Sequence, residues 1–251
     1  MRRAMDRIEI DEPAPAEASQ VVIRHRLGTR IWHWVNAVTV FVMLMSGLMI
    51  SNAHPRLYWG NYGANFDHAW LQLPRFPGWL TIPSYYSLSG ARRWHLAFAW
   101  LFAAGLVIFL LVSLWNRHVQ RDLAPTRDEL RPRHIWHDIK EHARLNFPTG
   151  EAAARYNTLQ KLSYGAVIFV LLPLLVLSGL AMAPAMSAAW PWLVETFGGR
   201  QSARSIHFLC AAGVGLFIIV HLIMVALAGP VNEIGSMVTG RFRLRTEADQ
   251  Q

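Results

Sequence analysis

Four stretches of this chain are too apolar for the surface of a water-soluble protein, and each is long enough to cross a membrane. They run approximately over residues 31–50, 94–115, 162–183 and 205–228. About 20 apolar residues in a helix, rising ~1.5 Å each, cross the ~30 Å of a bilayer's hydrocarbon. The backbone must satisfy its own polar groups there, so a segment of this kind is a helix. The expectation is an all-α fold, an integral membrane four-helix bundle. Charged residues make up 16% of the chain, against roughly 25% in soluble domains. The deficit lies in the four stretches rather than in an even spread.

A net charge of +8 could signal nucleic acid, but its placement gives a topology instead. Lys and Arg number six up to Arg30, nine over 116–161 and three after Ala228, whereas 51–93 holds four and 184–204 two. Basic residues gather on the cytoplasmic side of membrane proteins. Both termini and the central connection are therefore expected in the cytoplasm, with membrane lipids rather than nucleic acid as partners. Residues 1–23, whose first twenty are rich in Ala, Glu and Pro, read as a disordered cytoplasmic tail, and 246–251 as a second. The chain between them, 24–245, is one domain. No apolar core of a cleaved signal peptide precedes the first span, which should serve as an uncleaved anchor. The single cysteine, Cys210, excludes a disulfide framework and a four-cysteine iron–sulfur site within this chain. C-x-x-C-H is absent, and with it covalent c-type haem attachment.

The spans echo one another in pairs. "LMSGLMIS" of the first resembles "VLSGLAMA" of the third, and "ARRWH" before the second resembles "ARSIH" before the fourth. Two related helical hairpins side by side would produce this pattern, although small-residue packing motifs also recur in membrane helices.

Ionisable residues inside a bilayer are costly and mark function. The fourth span holds two, His207 and His221, fourteen residues apart. Fourteen residues are close to four helical turns, so both face one way, about 21 Å apart along the axis. Each finds a counterpart at its own depth: His33 near the inner end of the first span, for His221, and His95 near the outer end of the second, for His207. Two imidazoles facing across a bundle suit an iron porphyrin, which takes one axial nitrogen on each side. Two haem b are thus expected, with His33 and His221 on the inner iron and His95 and His207 on the outer. Gly47, Gly165, Gly179, Gly213 and Gly215 would let a flat macrocycle lie against a helix, or let helix pack on helix. Zinc or copper fits poorly, because each pair brings too few ligands. Arg92, Arg93 and Arg204 could fork onto outer haem propionates and Arg30 onto inner ones, or could simply anchor span ends. His134, His137 and His142 read as a solvated helix face; His25, His54, His68 and His118 read as surface residues.

At these four histidines the sequence resembles the dihaem cytochrome b subunits of nickel–iron hydrogenases, respiratory formate dehydrogenases and thiosulfate-reductase-like complexes, a bacterial cytochrome b561-like family. The likeness covers approximately 24–245. A second match is "RYNTLQK", residues 155–161, similar to a Tyr-Asn-x-x-Gln-Lys beside the quinone pocket of formate dehydrogenase members, with Leu159 where those members have glycine. The resemblance implies Asn157 as a hydrogen-bond donor to a quinone near His221. It also implies that the 51–93 and 184–204 connections meet a periplasmic oxidoreductase subunit, a molybdenum enzyme by the length of the outer loop, at a bacterial inner membrane. The function expected is electron transfer between that partner and the quinone pool, by a subunit without substrate chemistry of its own. A stand-alone quinone oxidoreductase and, from another class, a haem-free membrane anchor or transporter are the alternatives.

Overall fold

The computed structural model describes residues 21–64, 66–117, 119–144 and 156–244; the expected tails up to residue 20 and from 246, and His118, lie outside them. The described residues begin with a strand, β1 (Val21–Ile23). Helix α1 (Leu27–Ala53) is the first span. A connection with two short strands, β2 (Arg56–Leu57) and β3 (Leu71–Gln72), leads to α2 (Leu88–Trp115), the second. Helix α3 (Pro132–Ala143) lies in the central connection. The third span comprises α4 (Thr158–Ala166), a π-helical turn (Val167–Leu171) and α5 (Leu172–Met182). Short helices α6 (Pro184–Ala189) and α7 (Pro191–Thr196) precede α8 (Arg200–Ala228), the fourth span; α9 (Pro230–Thr239) and β4 (Arg241–Arg243) follow.

All four spans begin several residues before the apolar stretches that announced them. The leading turns include Thr29, Arg30, Arg92, Arg93, Lys161 and Arg204, polar residues that hydropathy discounts but a helix accepts where it leaves hydrocarbon. Each of the last three spans also has a device that satisfies its first N–H groups. Ser87 accepts from the Gly90 amide at 3.2 Å. Asn157 and Gln160 form a capping box. The amides of Gln201 and Ser202 donate to the carbonyl of Gly60 in the distant loop, at 3.0 and 3.2 Å. Inside the third span, Pro173 brings no N–H and its ring crowds the carbonyl four residues back, and the wide π-helical turn directly before it absorbs both demands. Gly229, at φ +110°, ends α8, and Pro230 starts α9.

The helices pair most extensively as α1 with α2 and α5 with α8, two hairpins side by side. Phe102, Leu106, Leu172 and Val214 fill the centre between them. Other large apolar side chains point outward, among them Val38, Phe41, Ile108, Leu111, Leu216 and Ile219. On a water-soluble protein this surface would aggregate; on four helices of membrane-spanning length it faces acyl chains.

The two ends of the bundle differ. At the terminal end β1 pairs antiparallel with β4. Arg24 ties this clasp to α9 by an ion pair with Glu233 at 2.9 Å, and its guanidinium lies over the Phe242 ring. His25 beside it is held down at about 4 by burial first, then by Arg24, His33 and Arg30, and so is neutral at physiological pH. At the opposite, loop end, β2 pairs with β3, and this ribbon is fastened to α8. Ser205 Oγ donates to the Tyr58 carbonyl at 2.6 Å and accepts from Trp70 Nε1 at 2.9 Å.

Candidate functional site: two histidine pairs at two depths

Each histidine of α8 meets one from the first hairpin. At the terminal end the rings of His33 and His221 lie 6.5 Å apart between centroids, with planes at 57°. At the loop end His95 and His207 lie 6.2 Å apart, at 61°. Direct stacking would bring rings closer, and a hydrogen bond would need a shorter gap between nitrogens. Two metal–imidazole bonds of about 2 Å, each with roughly 1 Å from nitrogen to ring centre, span about 6 Å. Gaps of 6.5 and 6.2 Å leave room for one metal ion between each pair of imidazoles. Val214, midway between His207 and His221 in sequence, belongs to the buried apolar cluster, so dry packing separates the pairs and makes them distinct sites.

The surroundings bear on whether a haem fits. At the terminal end two buried nitrogens, Nδ1 of His33 and Nε of Arg30, have no hydrogen-bond partner. Burying a polar group unpaired is costly, and a flat metal complex bearing carboxylates would supply a partner for the Arg30 Nε. At the loop end the helices approach closely enough that Gly47 and Gly179 lie against the histidine rings. A Cβ built on Gly47 would meet His95 Cε1 at 3.6 Å, and one on Gly179 would meet His207 Cε1 at 3.4 Å. The hydroxyls of Ser46 and Ser178 stand 3.0 Å from Nδ1 of His95 and of His207 respectively. Each pair offers two imidazoles and no third candidate ligand, since the described residues hold no cluster of three or more His, Cys, Asp or Glu. That suits a metal whose remaining positions a macrocycle already fills.

The arginines occupy the ends as expected. Arg204 donates to the carbonyl of His54, and Arg30 to that of Val238. Arg92 and Arg93 are exposed at the loop end. His54 is exposed too, yet its imidazole is held below its usual range, by burial first and then by the charges of Arg204 and Arg92. His68 is exposed, as read. Asn157 caps α4: its Oδ1 accepts from the Gln160 amide at 2.9 Å. His134 lies on the solvated face of α3 but also reaches the buried Thr158 hydroxyl at 3.1 Å. Beyond Asn157 an aromatic series leads to the terminal-end pair. Tyr156 meets Tyr164 edge-on at 5.6 Å, Tyr164 meets Phe217 at 6.0 Å, and Phe217 stacks on His221 at 5.8 Å and 14°.

Reading the sequence for ionisable groups overlooked Ser46, Ser178 and the Trp70–Ser205 link. Ser46 and Ser178 had left a signal in the repeated Ser-Gly-Leu of the first and third spans, which looked like a packing motif. Trp70 and Ser205 left none.

Known sequences resemble this chain over most of its length. Residues 24–240 match the sequence model of the family described as prokaryotic cytochrome b561. The chain is 28% identical to the "Putative protein-methionine-sulfoxide reductase subunit YedZ1" of Azospira oryzae, over 84% of this chain and 93% of that one. It is 22% identical to the "Probable Ni/Fe-hydrogenase B-type cytochrome subunit" of Cupriavidus necator, over 95% of this chain and 94% of the relative.

Proposed function

We propose that this chain, which belongs to the prokaryotic cytochrome b561 family, moves electrons between an oxidoreductase partner docked at its loop end and a quinone bound at its terminal end. Membership makes it a membrane b-type cytochrome. The observation that carries the rest is the pair of histidine gaps, 6.5 and 6.2 Å, at two depths of one bundle. In this reading His33 and His221 hold one haem b, and His95 and His207 a second. Bound there, haem supplies a one-electron iron couple. The protein's part is to keep four imidazoles neutral and aimed, and to exclude water with the apolar cluster between the pairs. Arg30 at one end and Arg92, Arg93 and Arg204 at the other are the cations that would pair with carboxylate side groups of the macrocycle.

The division of ends follows from charge and from surface. The eighteen Lys and Arg of the terminal end and central connection, against six at the loop end, favour termini on the cytoplasmic side, in a bacterial inner membrane in this reading. The loop end carries exposed aromatics on a fastened scaffold, including Tyr62, Phe66, Trp79, Tyr85, Trp190 and Trp192. Rigid aromatics on 51–93 and 184–204 are the composition of a docking surface. Both named relatives are subunits by their descriptions, which favours a periplasmic oxidoreductase partner over a stand-alone role; a molybdenum enzyme is our choice among such partners.

The quinone is assigned beside Asn157, at the start of the aromatic series that ends on His221. The capping bond occupies Oδ1, so donation to a quinone carbonyl would come from Nδ2. This selects Asn157→Asp as the test, because aspartate keeps the cap acceptor and removes the donor. Losing one hydrogen bond to a buried ligand costs about 1–3 kcal/mol, or roughly five- to a hundredfold in affinity. The KM for quinol in reconstituted vesicles should rise by that factor with haem content unchanged. An unaltered KM removes the quinone from this position, and loss of haem makes Asn157 structural.

A further inference from the structure

The internal echo of the sequence acquires a purpose at the loop-end pair. In the first hairpin, Ser46 of α1 stands 3.0 Å from Nδ1 of His95 on α2, and Gly47 lies against the Cε1 edge of the same ring. In the second hairpin, Ser178 of α5 stands 3.0 Å from Nδ1 of His207 on α8, and Gly179 lies against its Cε1 edge. Both serines are fully buried. Each hydroxyl also lies within donating distance of a carbonyl of its own helix. Ser46 Oγ donates to the carbonyl of Val42 at 2.7 Å, and Ser178 Oγ donates to that of Leu174. A hydroxyl has one proton, so towards the histidine each oxygen can only accept. With that proton given to the helix, the ring nitrogen facing each oxygen would carry the hydrogen, which leaves Nε2 bare.

We propose that Ser46 and Ser178 are positioning residues that lock His95 and His207 in the tautomer with Nδ1 protonated and Nε2 free for a metal, and that raise the basicity of both rings. The proposal rests on the assignment of His95 and His207 as ligands of one haem. A histidine ligand is ordinarily oriented and made a better donor by whatever accepts its other N–H. A serine is a modest acceptor, strengthened when its own proton is donated onward as here. The terminal-end pair lacks the device on at least one side, since Nδ1 of His33 is buried without a partner. The two sites thus differ in ligand strength although both are pairs of histidines. The Ser-Gly steps at 46–47 and 178–179 act as clamps, serine fixing the ring's hydrogen and glycine admitting its edge.

A more basic axial ligand favours ferric over ferrous iron, so removing the acceptor should favour the reduced form. The test is an optical redox titration of the purified holoprotein carrying Ser46→Ala, Ser178→Ala or both. Alanine is smaller and a strong helix former, so the spans should fold. At the wild-type midpoint of the loop-end haem, each single variant should raise the reduced-to-oxidised ratio two- to tenfold, the range of one net hydrogen bond. The double variant should move it further, and the other haem should not shift. Loss of the loop-end haem alone in the alanine variants would also support positioning. An unchanged ratio with both haems bound overturns the proposal, as does loss of both haems together. A parallel His207→Ala variant separates the two readings: if it leaves both redox waves in place, the ligand assignment fails, whatever the serines do.

Discussion

Alanine in place of His95 or His207 is expected to remove one haem per chain and leave the second in place, whereas alanine at His33 or His221 removes the other. The two sites lie on the same helix α8 but fourteen residues apart, about 21 Å along its axis. The buried cluster of Phe102, Leu106, Leu172 and Val214 separates them. Sites at such a distance with no shared partners lose their ligands independently. A histidine pair that has lost one member keeps a single weak axial bond, and the alanine leaves a cavity that does not bind iron. The readout is the number of waves in a redox titration, two in the wild type and one in each single variant. Loss of both waves from one substitution would mean that the pairs form a single cooperative site. Two intact waves would mean that the substituted histidine is not a ligand.

Gly199→Val is expected to be the most damaging change outside the histidines. Gly199 holds φ +109° and ψ 168°, a region that essentially only glycine occupies, at a cost of about 1–3 kcal/mol for other residues. A Cβ there would lie 2.4 Å from Asn61 Oδ1 and 2.6 Å from the Gly60 carbonyl carbon and oxygen. These are mostly backbone atoms that cannot rotate away, so the loop must lift. Lifting it breaks the two bonds by which Gly60 caps α8 and disturbs the Trp70–Ser205–Tyr58 link, each worth about 1 kcal/mol. The total is roughly 3 kcal/mol or more, read as an earlier unfolding transition. His207 lies two turns along the same helix, so its haem should loosen before that of His221. Gly105→Ala is the contrast, because a Cβ there meets nothing within 4 Å and alanine favours the helix. Equal stability of the two variants would refute the role given to the loop.

How much of this could be read from the chain alone depended on whether the cause was local. The spans were legible because hydrocarbon imposes one length and one secondary structure on an apolar run. The histidine pairing was legible because helical phase carries information along the sequence: fourteen residues bring His207 and His221 to one face wherever the helix sits. The helix starts were not, since Arg200 and Lys161 belong to helices whose first turns leave the hydrocarbon. Nothing near Gly60 announces that it caps α8 some 140 residues later, because that contact is set by how a loop folds back. The same holds for β1 and β4, three-residue strands too short to carry a pattern, which meet only because both ends of an even number of spans emerge together. Ser46 and Ser178 lie between these cases. Their motif was visible twice, but a hydroxyl that accepts from a ring on another helix cannot be told by sequence from one that only bonds its own backbone.

The central claim is that one bundle holds two haem b groups, each between two histidines from different helices. The most direct measurement is haem content per chain in the purified protein, by pyridine haemochrome against quantitative amino-acid analysis. The account predicts two b-type haems, extractable by acid acetone, falling to none in the His207→Ala/His221→Ala double variant. A single haem or none in the wild type, or full retention in the double variant, would contradict it.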